Sequence, residues 1–256
     1  MSLFDYSSPE QFKEKCGYTI DGAWYPRVTK ILEIKSKPAL YRYYGDAPSY
    51  KAAQEMTEAS AKEGTLVHET VQKIMTGEHP LVDPSIAPAV TAATEFMDRN
   101  NIQIDAAYIE RRVCNKADRY AGTIDALAFI NGRYGVLDIK TSQAIYRDYN
   151  LQTSAYMGEM TKTLAHLTTR WIFRIDQIKT CQLCSATLRP KGGREKIRRG
   201  RQTPCREPGL HEWGLLTGIC ELQEMPIWKN DFDAFISAKK LWEWENEGWL
   251  KKVGYI

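Results

Sequence analysis

Two carboxylates and a lysine bracket a single tight turn, with Asp125 before it and Asp138 and Lys140 after it. The turn is Asn131-Gly132 between two β-rich runs, the pairing that best supports positive φ at both corners of a two-residue hairpin. Counting outward from Ile130 opposite Arg133, a regular ladder puts Asp125 directly opposite Asp138 and Thr123 opposite Lys140. Alternation then places Asp138 and Lys140 on one face. Opposed residues have Cβ atoms about 4.5–5.5 Å apart, where like charges destabilise a sheet. A divalent cation between the carboxylates removes that repulsion, so the spacing predicts a metal site.

The competing expectation is a solvated face, on which water and Lys140 relieve the repulsion. The neighbours oppose it. Ile124, Ala126, Leu127, Ala128, Phe129 and Ile130 on one side, with Val136, Leu137 and Ile139 on the other, predict strands buried on both faces. A buried carboxylate pair without a counter-ion must protonate or distort. A β-bulge shifting the register by one residue would break the pairing.

A second constellation lies downstream. Cys181-x-x-Cys184 is followed after twenty residues by Cys205, and after five more by His211. Three thiolates and an imidazole in this pattern suit structural zinc, with the CxxC gripping the ion from a tight turn. The alternative is unligated cysteines in a flexible loop. Around them the charge is uneven: between Ile178 and His211 nine Lys and Arg face two Glu. That stretch is +7, and the net charge of +3 leaves −4 for the rest. A compact basic block fits a polyanion partner, the competing reading being a solvated loop.

The elements that must position these residues follow from periodicity. Tyr25–Leu32 leads into a short helix, and a longer one covers 50–76 with Val67, Val71 and Ile74 at core spacing. His-Pro, Asp-Pro and Ala-Pro mark a loop between His79 and Pro88, before a helix over 86–99. A strand near 108–114, the hairpin 121–141, a helix over 149–167 and a strand over 169–176 come next. A return strand over 218–225 precedes a final helix to about 247, capped by Asn230 or Asp231, in which Trp242, Trp244 and the following Trp249 read as packing. Cys114 and Cys220 fall in strands and read as core. The order is that of an α+β domain spanning 1–256, with a central mixed sheet flanked by helices and a small Cys/His-rich basic insertion over 178–217. With 256 residues, 43% of them hydrophobic, the chain can bury such a core as one domain. No apolar run approaches the ~18 residues of a membrane span. The first residues lack the pattern of a secretory signal, so six cysteines favour thiols or metal ligands over disulfides, and the expected compartment is the cytoplasm.

Three weaker features converge on the hairpin. His68 lies in Gly64-Thr65-Leu66-Val67-His68, Gln152 and Tyr156 share one helical face at i and i+4, and Thr141-Ser142 follow Lys140 directly. Taken singly, His68 reads as a polar residue at a helix edge, the Gln152–Tyr156 pair as surface, and the two hydroxyls as suited to a phosphate oxygen or a helix cap.

Together, Gly64-Thr65-x-x-His68, Gly122-Thr123-Ile124-Asp125, Asp138-Ile139-Lys140 and Gln152-x-x-x-Tyr156 form an ordered series. In that order and spacing they resemble the PD-(D/E)XK phosphodiesterases, in their RecB-like nuclease branch, from about Tyr25 to Met157 and, less specifically, over Trp171–Asp176 and Glu221–Trp249. With the Tyr-Pro-x-Val-Thr-x-Ile-Leu segment they look most like mitochondrial genome-maintenance exonucleases and phage or CRISPR-associated relatives. Two departures are Ile124 before Asp125, where proline is usual, and Asp138 where many relatives carry glutamate. The resemblance implies a restriction-endonuclease-like core and a metal-dependent DNA nuclease, most simply an exonuclease preferring single strands or free ends. Asp125, Asp138, the Ile139 carbonyl and His68 would hold Mg²⁺ or Mn²⁺, and Lys140 would serve the attacking water or the transition-state charge. Gln152, Tyr156 and Thr141 would place the nucleotide strand, and Arg198, Arg199 and Arg201 of the insertion its backbone. Some relatives bind an iron–sulphur cluster, for which Cys16 would be an early ligand beside the later cysteines. The chain has no Gly-rich Walker motif, so unwinding would fall to a helicase or another recombination or replication partner in a prokaryotic or phage-infected cell. Two alternatives are a zinc-containing nucleic-acid-binding module without turnover and a structure-specific endonuclease of the same superfamily.

Overall fold

Asn131 and Gly132 both adopt positive φ, 52° and 75°, and close the expected two-residue hairpin. The computed structural model describes residues 6–35, 38–198, 205 and 208–256. In chain order the elements begin α1 Pro9–Cys16, β1 Gly17–Ile20, β2 Ala23–Pro26, α2 Val28–Ile31, α3 Pro38–Asp46, α4 Tyr50–Met75, α5 Ala87–Arg99 and β3 Gln103–Asp105. Then come β4 Arg112–Asn115, β5 Tyr120–Thr123, β6 Ala126–Ile130, β7 Arg133–Lys140, α6 Asp148–Met160 and β8 Leu167–Cys181. The insertion hairpin β9 Thr187–Lys191 and β10 Arg194–Arg198 precedes β11 Trp213–Glu224, α7 Lys229–Glu245 and α8 Glu247–Lys252.

The architecture is α+β. A seven-stranded sheet runs β10-β9-β8-β7-β6-β3, with β11 paired to the other edge of β8. β7 and β8 are parallel, joined by the α6 crossover, and their neighbours pair antiparallel. Alternation along the hairpin divides the core. Ala126, Ala128, Ile130, Leu137 and Ile139 pack with Val67, Val71, Val90 and Ala93 of α4 and α5. Leu127 and Val136 turn to the opposite face, with Ala155, Tyr156 and Met157 of α6 and Phe235 of α7. Asp138 and Lys140 share the parity of Val136 and so face the α6 side. The expected burial on both faces holds for these strands except Phe129, which is 44% exposed beyond the helical cover.

Several boundaries differ from expectation for local reasons. α6 stops at Met160, and the Thr161 and Thr163 hydroxyls return to the carbonyls of Met157 and Met160. β8 begins at Leu167 and runs through Cys181, and β11 already begins at Trp213, so the long β8–β11 ladder takes up both ends of the predicted 178–217 insertion. Neither Asn230 nor Asp231 caps the last long helix. Trp228 stands at its N-cap without a side-chain bond, and Asp231 instead pairs with the fully buried guanidinium of Arg170. Trp242 is buried as expected, but Trp244 is 72% exposed. Cys114 and Cys220 lie in β4 and β11 and are half-buried rather than core. Among the described residues, no helix is long and apolar enough to cross a membrane.

Candidate metal centre and its cleft

Outward from the turn, the β6–β7 ladder keeps the predicted register as far as Ala126 opposite Leu137, then stops. Asp125 is therefore not paired with Asp138, and Thr123 does not face Lys140. The reason is a second hairpin. β5 leaves the main sheet to pair with β4, Thr123 lying opposite Arg112. Backbone bonds from Ile124 N–H to the Arg111 carbonyl and from Glu110 N–H to the Asp125 carbonyl carry that register two residues further. The carboxylate that stands opposite Asp125 is Glu110.

Asp125 bends back toward the sheet all the same. Its Oδ2 accepts the Ile139 N–H at 2.6 Å and lies 3.2 Å from His68 Nε2. Asp138 Oδ1 accepts from Gln152 Nε2 at 3.0 Å, and the same amide reaches the Tyr156 hydroxyl at 3.2 Å. Gln152 and Tyr156 are thus not surface residues. Tyr156 is buried because Gly122 lets its ring lie where a β-carbon would come within 2.6 Å. Lys140 Nζ is 2.5 Å from Asp138 Oδ2 as an ion pair, yet that buried oxygen accepts no hydrogen bond of proper geometry.

The electrostatics follow from burial and these partners. Burial alone would raise the Asp125 carboxyl, but His68, Lys140 and the Ile139 N–H hold it below the usual range. Asp138 is pushed up to about 6 by burial, with Asp125 adding to the rise and Lys140 opposing it. Burial would lower His68 and Lys140, and in both the facing carboxylates win and raise them. An acid left near neutrality beside a second, ionised acid is a place where a cation replaces a proton.

The donor atoms of His68, Glu110 and Asp125 all lie within 4.8 Å of one another, close enough to hold a metal ion together. Glu110 escaped sequence reasoning. Its signal was the four-residue loop 116–119 between β4 and β5, whose register places residue 110 against 125. Ile139 lines the cleft, and its N–H orients Asp125. The cleft holds about 640 Å³ between α4, the end of β7 and β9, with Ser60, Gly64 and His68 on one wall and Thr141, Arg189 and Lys191 on the other. Thr141 does not cap α6. Its carbonyl accepts from Lys191 Nζ at 2.5 Å and from Arg189 at 3.1 Å.

The second cluster forms as expected. Donor atoms of Cys181, Cys184, Cys205 and His211 lie within 4.8 Å of one another, a group that could hold a metal. Cys184 Sγ is 3.3 Å from His211 Nδ1, and Cys181 Sγ is 4.0 Å from Cys205 Sγ. Burial opposes ionisation of Cys181, but donation from His211 and the backbone N–H groups of Leu183 and Cys184 brings it down to about 6. Cys205 is pushed up to about 12 by burial and by the neighbouring Cys184 and Cys181 sulfurs. Cys16 is not among them: it lies in the core beside Phe12 and donates its thiol to the Tyr6 hydroxyl at 3.1 Å. Arg198 is an exposed residue at the end of β10, while Arg199 and Arg201 lie outside the described residues.

No family model matches the chain, and no curated protein matches it. A solved structure described as "Crystal structure of SSO0001" is similar over 84% of this chain and 72% of that chain, with 13% identity and a TM-score of 0.34, a likeness too weak to argue from.

Proposed function

We propose that the chain is a metal-dependent nuclease of PD-(D/E)XK type that hydrolyses phosphodiester bonds in DNA, acting on single strands or free ends. The observation that carries this reading is convergence. Asp125, Asp138 and Lys140 were singled out by hairpin spacing, and His68, Gln152 and Tyr156 by the motif series; they come from three separate elements and a bend, yet they meet in one linked cluster. Ordinary packing gives no reason for two buried acids to be paired with a histidine and a lysine that both line one cleft.

The donor set fits a hard divalent ion. Carboxylates of Asp125 and Glu110 and the imidazole of His68 suit Mg²⁺ or Mn²⁺, the nitrogen favouring the latter, and Asp138, whose Oδ2 is paired with Lys140, would join them by exchanging that ammonium for the ion. The Ile139 carbonyl would complete the set. Such an ion lowers the pKa of bound water and offsets charge developing on the scissile phosphate. The chain's own groups do the rest. The Ile139 N–H and Gln152 amide fix the two carboxylates, Lys140 presents a cation at the reacting phosphate or orients the water, Thr141 positions the strand from the cleft wall, and the buried Tyr156 acts through Gln152 by holding its amide. Zinc on the Cys181, Cys184, Cys205 and His211 cluster would staple the base of the basic hairpin.

The test is a time course on single-stranded DNA labelled at either end, with Mn²⁺, Mg²⁺ or EDTA, and Asp138→Asn alongside. Metal-dependent loss of substrate that the variant abolishes is expected, and the labelled products give polarity. An unchanged rate in Asp138→Asn, or intact DNA with every metal, would sink the reading.

A further inference from the structure

The edge of β8 that β7 occupies is handed over to β9, with a gap between them. β7 pairs with β8 as far as Lys140 opposite Arg174, and β9 takes up pairing only at Lys179 opposite Leu188. Over that gap lies a cavity of about 160 Å³. Arg174, Asp176 and Ile178 of β8 line it at alternate positions, so their side chains share one face. Registered residues of parallel strands point the same way, which makes this the face on which Lys140 stands.

Four cations from three strands line the cavity beside the neutral Gln143, Ile178, Thr187 and Ile219. Arg174 comes from β8, Arg189 from β9, and Lys196 and Arg198 from β10, against the single lining carboxylate of Asp176. Asp176 is engaged by Arg189 at 2.5 Å and by Arg174 at 3.7 Å, and Glu221 takes the Nε of Arg174 at 2.9 Å. These acids offset part of the charge, and the excess remains positive. Arg198 reaches Gln143 at 3.4 Å, so the loop after β7 closes the mouth. Arg189 also lines the larger cleft, where its other nitrogen meets the Thr141 carbonyl, and so one guanidinium joins both spaces. With strands about 4.8 Å apart and residues rising about 3.3 Å, the cavity lies on the order of 10 Å from Lys140.

We propose that this cavity is a phosphate subsite holding a nucleic-acid strand beside the bond that reacts at the Asp125 and Asp138 centre, an inference that rests on the nuclease reading for its substrate. Guanidinium forks and an ammonium converging on a space of this size match a tetrahedral oxyanion. The insertion then acts by completing a pocket next to the cleft, with the Cys181, Cys184, Cys205 and His211 cluster holding the hairpin that supplies three of the four cations. The same chemistry serves an internal phosphodiester or a terminal phosphate.

The experiment measures binding of fluorescent single-stranded DNA as a function of salt, in the zinc-loaded Asp138→Asn background with no Mg²⁺, Mn²⁺ or chelator added, so that cleavage is silent and the Cys181 cluster keeps its metal. The exposed pair is neutralised in Lys196→Gln/Arg198→Gln, and Lys251→Gln/Lys252→Gln on α8 makes the same charge change elsewhere. Affinity about tenfold weaker, with the salt slope reduced by about 0.7 for one phosphate contact, is expected of the first variant only. Gln143→Glu, which removes no cation but sets a negative charge at the mouth, is expected to weaken binding as well, with its melting midpoint unchanged. A loss confined to oligonucleotides carrying a 5′- or 3′-phosphate assigns a terminal phosphate, and an equal loss for all assigns an internal one. Binding unaltered by both pocket variants, or altered equally by the α8 control, overturns the subsite. Pocket-dependent binding without metal-dependent cleavage would leave the subsite standing and remove the nuclease reading instead.

Discussion

Gln152 Nε2 donates to Asp138 Oδ1 at 3.0 Å, so an amide from α6 sets the orientation of a carboxylate on β7. The bond spans the interface between helix and sheet, and the same amide reaches Tyr156 one turn later. Outer partners of this kind typically change metal affinity or activity 10–100-fold when removed. Gln152→Leu is expected to lower the DNA cleavage rate by about that factor while leaving the fold intact. Equal rates for Gln152→Leu and the parent protein would separate Gln152 from the site.

Glu110 provides a sharper test of the ligand set. Mn²⁺ binding to the folded chain should raise the melting midpoint with the logarithm of 1 + [Mn²⁺]/Kd. Glu110→Gln is expected to need at least ~10-fold more Mn²⁺ for the same rise. A titration unchanged from the parent would remove Glu110 from the metal centre.

The Cys181, Cys184, Cys205 and His211 cluster should hold one zinc per chain, released when a thiol reagent attacks the sulfurs. Cys184→Ser is expected to lose the metal and to speed amide exchange in β9 and β10 while the β6–β7 hairpin stays protected. Retention of zinc in this variant, measured by elemental analysis, would contradict the four-ligand assignment.

Arg170 is fully buried and bound by the carbonyls of Asn150, Met225 and Ile227 as well as by Asp231. Removing the carboxylate leaves a buried charge short of its counter-ion, which typically costs about 3–5 kcal/mol. Asp231→Ala should show that loss in urea unfolding. A cost under ~1 kcal/mol would mean that the carbonyls alone satisfy the guanidinium.

Lys191 is brought down from the ordinary 10.5 to about 8 by burial and by the neighbouring Arg189, with Asp176 and Glu63 opposing. Its folded form releases its proton first, so between pH 8 and 10.5 the unfolded chain binds more protons. Stability therefore rises with pH through that window. Lys191→Met is expected to lack this rise. Parallel pH profiles for the two proteins would refute the shift.

Much of the fold was legible because its signals are local. Val67 and Val71 announce a helix face, and Asn131-Gly132 announces both the turn and the register out to Ala126 opposite Leu137. Beyond that pair the prediction failed at Asp125, because pairing is a competition between strands. β5 found β4, and a residue at the junction cannot belong to both ladders. Glu110 and Lys191 stayed hidden for the same reason, their importance depending on which distant element lies against them.

Local residue order carries the chemistry at hand: two acids, a lysine and a histidine on elements that periodicity can place, and a cysteine cluster with metal-ligand spacing. Residue type and local spacing are properties of a short stretch of chain, and hydrogen-bond geometry within one turn or strand reads them directly. Tertiary structure alone decided which carboxylate faces which, that Gln152 holds Asp138, and that the insertion folds back to wall the cleft instead of standing free. Those facts rest on contacts between residues up to about half the chain apart, such as Ser60 with Lys191. Burial and close packing select such contacts only when the whole core assembles.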